Sequence, residues 1–183
     1  FFELFPDQDI KGAFTTPATY KVGVANSSFW ESTIAFDFQF MDYHRFQSVP
    51  VNFSQTEGTA TPEELRLVFD FDNSFQFSSG IEKPLNEKLK VRGGYMFDHT
   101  PVPDKSTGPL FPDSSRHSFT VGASYQKGAL ELSFFYQAMK FVDRVTAVPE
   151  NSVIFTNGEY DNFAHLGGLG LRYNFSAPFL GVE

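Results

Sequence analysis

Three basic residues in the sequence could bind an anionic group. Lys90 and Arg92 are separated by one residue, and Arg172 lies in a later segment with the same alternation of apolar and polar residues. Ammonium and guanidinium groups bind carboxylates through charge-assisted hydrogen bonds, which are stronger where the surroundings exclude water. The alternative is that these cations pair with acidic residues on neighbouring segments and have only a structural role. The acidic candidates are Asp37, Asp70, Asp72 and Glu131.

Six apolar residues occupy positions at which the alternation elsewhere places polar side chains. They are Met41, Val68, Met96, Phe135, Met139 and Leu166. Methionine adapts its shape to irregular surfaces, and apolar side chains dominate pockets for hydrophobic ligands. Together with the three cations, these residues are therefore candidate contacts for a hydrophobic molecule. The alternative is that they pack against a plug or an inward loop.

The sequence offers little for catalysis or metal binding. Its four histidines are scattered and it has no cysteine, so no clustered metal site and no thiolate site is predicted. Asp98 and His99 with a serine could imitate a hydrolase triad, but we predict no catalytic residue and no cofactor. The run Gly167-Gly168-x-Gly170 falls inside a predicted strand, where glycine admits a close neighbour or a bend. The histidines are His44, His99, His117 and His165.

The alternation predicts that these side chains lie on β-strands. Between Leu65 and Ile81 one parity is almost entirely apolar and the other is polar, which predicts one strand of about 17 residues. Strands in soluble domains usually have about 5–6 residues, whereas a long two-faced strand suits the wall of a transmembrane barrel. Six further segments alternate in the same way, which gives seven predicted strands. They begin near Tyr20, Ile34, Leu89, Phe119, Leu130 and Leu169.

The connections between the predicted strands alternate between short and long. This pattern is typical of an up-and-down barrel with one rim in the periplasm and the other outside. Turn-forming residues mark short connections at 26–28, 84–86 and 127–128. The long, polar connections are 44–64, 99–115 and 143–161.

The long connection at 99–115 is rich in proline, which restricts its backbone. We expect Arg116 to pair with Asp113 or Asp98 and to fix the base of this loop. The loop is either the entry rim for a substrate at the outer mouth or an exposed loop stiffened against proteases. Its candidate residues are Pro101, Pro103 and Pro112.

Composition narrows the class of protein. The 183 residues carry a net charge of −8, which argues against nucleic acid as a partner. No apolar run approaches the 18 residues of a transmembrane helix, yet 24 phenylalanines are present. The pattern predicts an all-β, antiparallel, up-and-down transmembrane β-barrel of about seven strands. A soluble antiparallel sandwich is the alternative, and an odd strand number needs more chain or a partner to close a barrel.

Two quoted segments carry a resemblance to a known family. Residues 90–104 read Lys-Val-Arg-Gly-Gly-Tyr-Met-Phe-Asp-His-Thr-Pro-Val-Pro-Asp, and residues 111–117 read Phe-Pro-Asp-Ser-Ser-Arg-His. The chain resembles the FadL/TodX family of outer-membrane transporters, whose members have a similar strand, a Pro-Val-Pro loop, and Pro-Asp before an arginine. The resemblance extends more weakly from about Thr16 to Phe175, through segments at 16–23, 42–46 and 167–175.

The resemblance implies a 14-stranded monomeric barrel of which this chain is the C-terminal half. We expect residues 1–16 to be a loop or the end of a preceding strand, residues 17–175 to be barrel strands and loops, and residues 176–183 to be a C-terminal tail. Family members usually end at an aromatic residue that the barrel assembly machinery reads, and here Phe175 is followed by that tail. The plug and the wall opening are expected in the remaining half.

The function implied by the resemblance is passive transport of long-chain fatty acids or aromatic hydrocarbons across the bacterial outer membrane. The expected partners are the hydrophobic substrate, outer-membrane lipid, the barrel assembly machinery and the remaining half of the barrel. Two alternatives stay open. One is a non-transporting barrel fragment or assembly component completed by another chain, and the other is a soluble ligand-binding sandwich.

Overall fold

A computed structural model describes residues 7–54, 56–57, 62–108, 112–146 and 157–175. Regular structure in these residues consists of strands and two 3₁₀ turns, Tyr43–Arg45 and Asp104–Ser106. No helix in the described part of the chain is long and apolar enough to cross a membrane. The strands are β1 (Ile10–Gly12), β2 (Ala18–Phe29), β3 (Ser32–Asp42), β4 (Ser48–Phe53), β5 (Glu64–Val68), β6 (Ser74–Pro84), β7 (Leu89–Asp98), β8 (Arg116–Lys127), β9 (Leu130–Phe141), β10 (Arg144–Thr146), β11 (Gly158–Tyr160) and β12 (Phe163–Tyr173).

Seven of these strands form one antiparallel sheet. Its order, β2-β3-β6-β7-β8-β9-β12, follows the order of the strands along the chain. Each strand has 10 to 12 residues, a length that crosses a bilayer when the strand is tilted. The predicted up-and-down arrangement of seven strands is confirmed.

The sheet has one apolar and one polar side. Residues directly opposite each other in paired strands share a face. Phe38 and Phe77 are opposite each other on β3 and β6, and the adjacent pair is Asp37 and Ser78. We name the side that carries the phenylalanine pair the apolar face and the opposite side the polar face. The register continues these two faces across all seven strands.

The longest predicted strand, Leu65–Ile81, is wrong as a single strand. It divides into β5 and β6, and residues 69–73 leave the strand conformation. Asp70 has a φ of 48°, which turns the backbone, and its two phenylalanine neighbours are each only 8% exposed. Phe69 and Phe71 keep the apolar residues at every second position through this break, but they pack into a separate cluster and not onto the large sheet. The members of this loop cluster are Phe69, Phe71, Val102, Tyr43, Phe46, Val49 and Leu67.

The short connections lie at one end of the large sheet and the long connections at the other, as predicted. The β2–β3 turn consists of Trp30 and Glu31, which both have positive φ, the conformation of a type I′ hairpin. The turn predicted at 26–28 is wrong because these residues lie within β2, where the Asn26 side chain accepts a hydrogen bond from Ser28 N and the register shifts. The other short connections are residues 85–88 and 128–129.

Two small sheets lie apart from the large sheet, mostly in the long connections. β1, β4 and β5 form a three-stranded antiparallel sheet, and β10 pairs with β11. The segments predicted as long loops at 44–64 and 143–161 are therefore partly strands. β4 pairs with β1 and β5, and β10 pairs with β11, so none of these strands pairs with the large sheet. The boundaries at 16 and 175 stay predictions. β1 lies within the first predicted segment, and residues 176–183 lie outside the described residues.

We expect the substitution Phe71→Ala to loosen the loop cluster without unfolding the large sheet. Removing a buried phenylalanine ring costs about 3–5 kcal/mol. Amide hydrogen exchange, followed by mass spectrometry, should become faster in residues 43–49 and 67–73 but not in β8 or β9. Val145→Ala is the matched control, because Val145 is 72% exposed. Unchanged exchange at residues 43–49 would show that the cluster does not hold the long connections.

Candidate functional site

Two methionines and a buried serine form a row on the polar face. Met96, Ser118 and Met139 are opposite one another on β7, β8 and β9. Ser118 is 1% exposed, and its Oγ has no hydrogen-bond partner in the part of the chain that the structure describes. Because a longer side chain flanks this serine on each side, the row presents thioether groups. We name these three residues the methionine row.

Small residues lie beside the methionine row, towards the short turns. Ala35, Gly80 and Gly94 are opposite one another on β3, β6 and β7. Gly94 is two residues along β7 from Met96, on the same face. Side chains of one methyl group or none leave a shallow floor in the polar face. This floor separates the methionine row from a group of ionised side chains.

The ionised group beyond the floor consists of one carboxylate and two cations. Arg92 Nε lies 2.6 Å from Glu82 Oε2, and Lys90 Nζ lies 3.7 Å from Glu82 Oε1. Arg92 also donates a hydrogen bond to Ser124 Oγ at 3.3 Å. Glu82 was not among the acidic partners expected from the sequence, but the register places it directly opposite Arg92. We name Glu82, Lys90 and Arg92 the cationic cluster.

The polar face of the seven strands has a net charge of +1, although the whole chain has −8. Lys21 pairs with Asp37 at 3.7 Å, and Arg172 pairs with Glu131 at 3.3 Å, the structural pairing considered for Arg172. The surplus positive charge therefore lies in the cationic cluster. The basic residues on this face are Lys21, Lys90, Arg92, Arg116 and Arg172, and the acidic residues are Asp37, Glu82, Asp98 and Glu131.

Three further predicted ligand contacts also lie on the polar face. The ring of Phe135 covers Gly168 on the neighbouring strand so closely that a Cβ at Gly168 would clash with it. This explains the glycine within β12 as room for a close neighbour, as the sequence indicated. Met41 lies opposite Ser74, and Leu166 lies opposite Gln137. The structure places all three on the predicted side, and their contact with a ligand stays a prediction.

The placement of Val68 on the same face is wrong. Val68 ends β5 and pairs with Ser48 of β4 in the three-stranded sheet, where it is 53% exposed. The sequence predicted Val68 on the polar face because the alternation of apolar and polar residues runs without interruption from β5 into β6. The break at residues 69–73 leaves no trace in that alternation. Val68 is therefore no part of the polar face.

The base of the loop at 99–115 is fixed by Arg116, as predicted. Its guanidinium forms an ion pair with Asp98, and its Nη1 lies 3.4 Å from Asp113 Oδ1. Thr100 Oγ1 donates a hydrogen bond to Asp113 Oδ2 at 2.6 Å.

Burial raises the pKa of the Tyr43 hydroxyl, and the negative charges of Asp98 and Asp113 raise it further.

Arg144 joins two of the long connections and was not identified from the sequence. Its Nε lies 2.7 Å from Asp104 Oδ1, Nη1 donates to the carbonyl of Asp113 at 2.8 Å, and Nη2 donates to the carbonyl of Val102 at 2.6 Å. The Arg144 side chain is only 12% exposed. Carbonyl groups carry no signal in a sequence, so only the fold shows this contact.

The predicted prolines occupy different places in the loop. The Pro101 carbonyl accepts a hydrogen bond from Asp72 N at 2.8 Å, and the Pro103 carbonyl accepts one from Ser106 N at 2.9 Å. Pro112 is exposed and immediately follows residues 109–111, which lie outside the described residues. The role of these residues as an entry rim stays a prediction.

The histidines have structural contacts. His99 stacks on Phe75, with ring centroids 5.0 Å apart, while Asp98 pairs with Arg116, so the two do not assemble a hydrolase triad. His117 Nδ1 and Tyr95 OH form a hydrogen bond of 2.8 Å on the apolar face. A second such pair joins His165 and Tyr136. Within the described residues, no three His, Cys, Asp or Glu side chains are placed to hold a metal ion.

Comparison with known proteins accounts for most of the chain. A model of the family described as outer membrane protein transport protein (OMPP1/FadL/TodX) matches residues 7–175. The chain belongs to the FadL/TodX family. Its fold is similar to the crystal structure of a FadL homologue from Pseudomonas aeruginosa, with a TM-score of 0.63 and 15% sequence identity. That match covers 85% of this chain and 34% of the homologue, and no curated protein sequence matches.

FadL/TodX membership gives the two faces a physical meaning. In an outer-membrane barrel the apolar side faces lipid, and side chains such as Phe36 and Leu169 are 48% and 88% exposed here. β2 and β12 each have one neighbour in the sheet, and no open edge is stable in lipid. The sheet is therefore a segment of an antiparallel barrel, which confirms the predicted fold class and rules out the sandwich. This chain spans about a third of the length of the matched structure.

We expect Arg144→Gln to loosen the loop at 99–115 in this FadL/TodX chain. The change leaves the carbonyls of Val102 and Asp113 without their donor, and each such loss costs about 1–3 kcal/mol where the carbonyl is shielded from water. Limited proteolysis of intact cells should then cleave the loop faster. Lys105→Gln is the control, since Lys105 forms an exposed ion pair with Asp70 that contributes less than about 1 kcal/mol. Equal cleavage of both variants would contradict the role of Arg144.

Proposed function

We propose that the polar face lines part of a passage for passive transport of hydrophobic small molecules across the bacterial outer membrane. The observation that carries this proposal is that the methionine row and the cationic cluster lie along one face of the sheet, the face directed away from lipid. Family membership supports transport and an outer-membrane location. The required partners are outer-membrane lipid, the barrel assembly machinery and the strands that complete the wall.

The methionine row supports an apolar ligand. The lumen of a water-filled porin is polar, and thioether groups would be unfavourable there. Methionine accommodates ligands of different shape, because its side chain is flexible and polarisable. Phe135 and Leu166 add apolar surface on β9 and β12, where they are each 43% exposed. The face therefore offers contacts for an acyl chain or a ring without fixing one shape.

The cationic cluster supports a ligand with a carboxylate head group. Glu82 neutralises one of its two cations, and the Lys90 and Arg92 side chains are 50% and 41% exposed. A bound carboxylate would neutralise the remaining charge through charge-assisted hydrogen bonds. A neutral aromatic hydrocarbon can offer these cations only the face of its ring, which binds them less strongly than a carboxylate does. The cluster therefore favours fatty acids over aromatic hydrocarbons among the family's substrates.

The spacing of the two features favours a long molecule in one orientation. Met96 and Arg92 are four residues apart on β7, which corresponds to about 13 Å along the strand. The cationic cluster lies nearer the short turns, which face the periplasm in outer-membrane barrels. The head group of a long-chain ligand would therefore lie on the periplasmic side of its tail.

A second function, that of a non-transporting component completed by another chain, has one observation in its favour. Both edges of the seven-stranded sheet need further strands, which the described residues do not supply. The same edges are expected if those strands belong to the same protein. An intact mass of the protein purified from outer membranes distinguishes the two cases.

We expect Met96→Asp and Phe135→Asp each to reduce uptake of palmitate about tenfold or more. A carboxylate placed against an apolar acyl chain loses hydration without gaining a partner. Uptake of radiolabelled palmitate is measured in cells whose other uptake systems are deleted. Met96→Leu is the control and should retain uptake, while heat-dependent gel mobility checks that all variants fold. Normal uptake by folded Asp variants would remove the polar face from the pathway.

Charge removal in the cationic cluster should affect palmitate and toluene differently. We expect Lys90→Gln or Arg92→Gln to lower palmitate uptake about tenfold, because a hydrogen bond to a charged group contributes about 1.5–3 kcal/mol. Toluene uptake should fall much less, because a ring face binds a cation less strongly than a carboxylate does. Arg172→Gln, which alters a cation already paired with Glu131, serves as the control. Equal loss for both substrates would argue against carboxylate recognition.

A further inference from the structure

The apolar face contains two hollows on either side of β3. The first has a volume of about 380 Å³ and lies over Ser79 and Gly93, between β3 and β7. The second has a volume of about 460 Å³ and extends along β2 from Val24 to Phe29. Ile34 and Phe36 line both hollows and form their common wall.

The hollows result from the sizes of residues on this face. Ser79 and Gly93 occupy apolar-face positions at which most neighbouring strands carry large side chains. Ile34 and Phe36 are two residues apart on β3, so both project from the same face and form a ridge along the strand. Most of the lining is apolar.

We propose that the two hollows hold the two acyl chains of one diacyl phospholipid, with the Ile34–Phe36 ridge between them. The family places this face against lipid, so the occupant must come from the bilayer or compete with it. Two apolar grooves that share one wall match two hydrocarbon chains joined at one end. A single-chain ligand would fill one groove and leave the other to a second molecule.

Polar groups at the end of the second hollow nearest the β2–β3 turn indicate where the lipid head group lies. The Asn26 Oδ1 accepts hydrogen bonds from Ser28 N at 2.9 Å and Ser28 Oγ at 2.8 Å. The Asn26 amide nitrogen has no partner among the described residues and is free to donate to a phosphate or ester oxygen. Trp30, at the adjacent turn, is 77% exposed, which is typical of the interfacial aromatic belt. The lipid therefore belongs to the leaflet on the short-turn side.

The test uses a substitution that fills the first hollow without disturbing the strand. A Cβ at Gly93 would lie 3.8 Å from Ile81 Cγ2, which is ordinary van der Waals contact, so Gly93→Leu fits the backbone and occupies the groove. Ala123→Leu is the matched control, since it adds a similar side chain to the same face on β8, outside both hollows. Heat-dependent gel mobility checks that both variants fold.

Lipid retention is measured by native mass spectrometry of the protein purified from outer membranes in mild detergent. A diacyl phosphatidylethanolamine and palmitate are added separately as probes. We expect one phosphatidylethanolamine to stay bound to the wild type and to Ala123→Leu, and its apparent affinity to fall about tenfold in Gly93→Leu. Asn26→Leu should also weaken binding, because it removes the head-group donor.

Three results would overturn the proposal. Equal retention of phosphatidylethanolamine by wild type and Gly93→Leu would show that lipid contacts the face without a defined site. Palmitate binding that depends on Gly93 and excludes the diacyl lipid would assign the hollows to a single-chain hydrophobe. A dimer that loses its association in Gly93→Leu would assign them to a second copy of the protein.

Discussion

Continuous backbone hydrogen bonding across seven strands is the constraint on which the other features depend. Backbone N–H and C=O groups cannot stay unpaired in hydrocarbon, so each strand must pair along its length with its neighbours. That pairing fixes the register, and the register collects side chains from distant segments into rows. Met96, Ser118 and Met139 form one such row although they are far apart in the sequence. The same register sets Glu82 opposite Arg92.

Charge is distributed unevenly between the strands and their connections. The chain is acidic overall, yet the polar face of the strands has a small positive surplus. The described connections at the long end hold Asp104 and Asp113, whose charges are matched by Arg144 and Arg116. Positive charge without a full partner is therefore found deeper along the polar face, in the cationic cluster. The proposed anionic head group would be bound most strongly there, because Glu82 neutralises only one of the two cations.

The end with the long connections is built differently from the wall. Phe69 and Phe71 pack into the loop cluster with Val102, whereas Phe75 and Phe77, only a few residues later, lie on the apolar face of the large sheet. Residues 72 and 73, which follow the cluster and precede β6, separate these two environments. Aromatic side chains thus serve two purposes, lipid contact in the wall and a small core that holds the long connections together.

The sequence by itself located the seven long strands of the large sheet and the apolar side of each, with β5 and β6 taken as one, because side-chain direction alternates with a fixed period of two. The polar-face positions of Met96, Met139, Phe135 and Arg92 follow from that local rule. The tertiary structure alone decided which residues meet, including Glu82 with both cations and Arg144 with three acceptors. It also removed Val68 from the face, because a break in a strand leaves the alternation unchanged. The alternation of side-chain direction arises within a single strand. Which side chains become neighbours depends on the register between strands, and the sequence does not show that register.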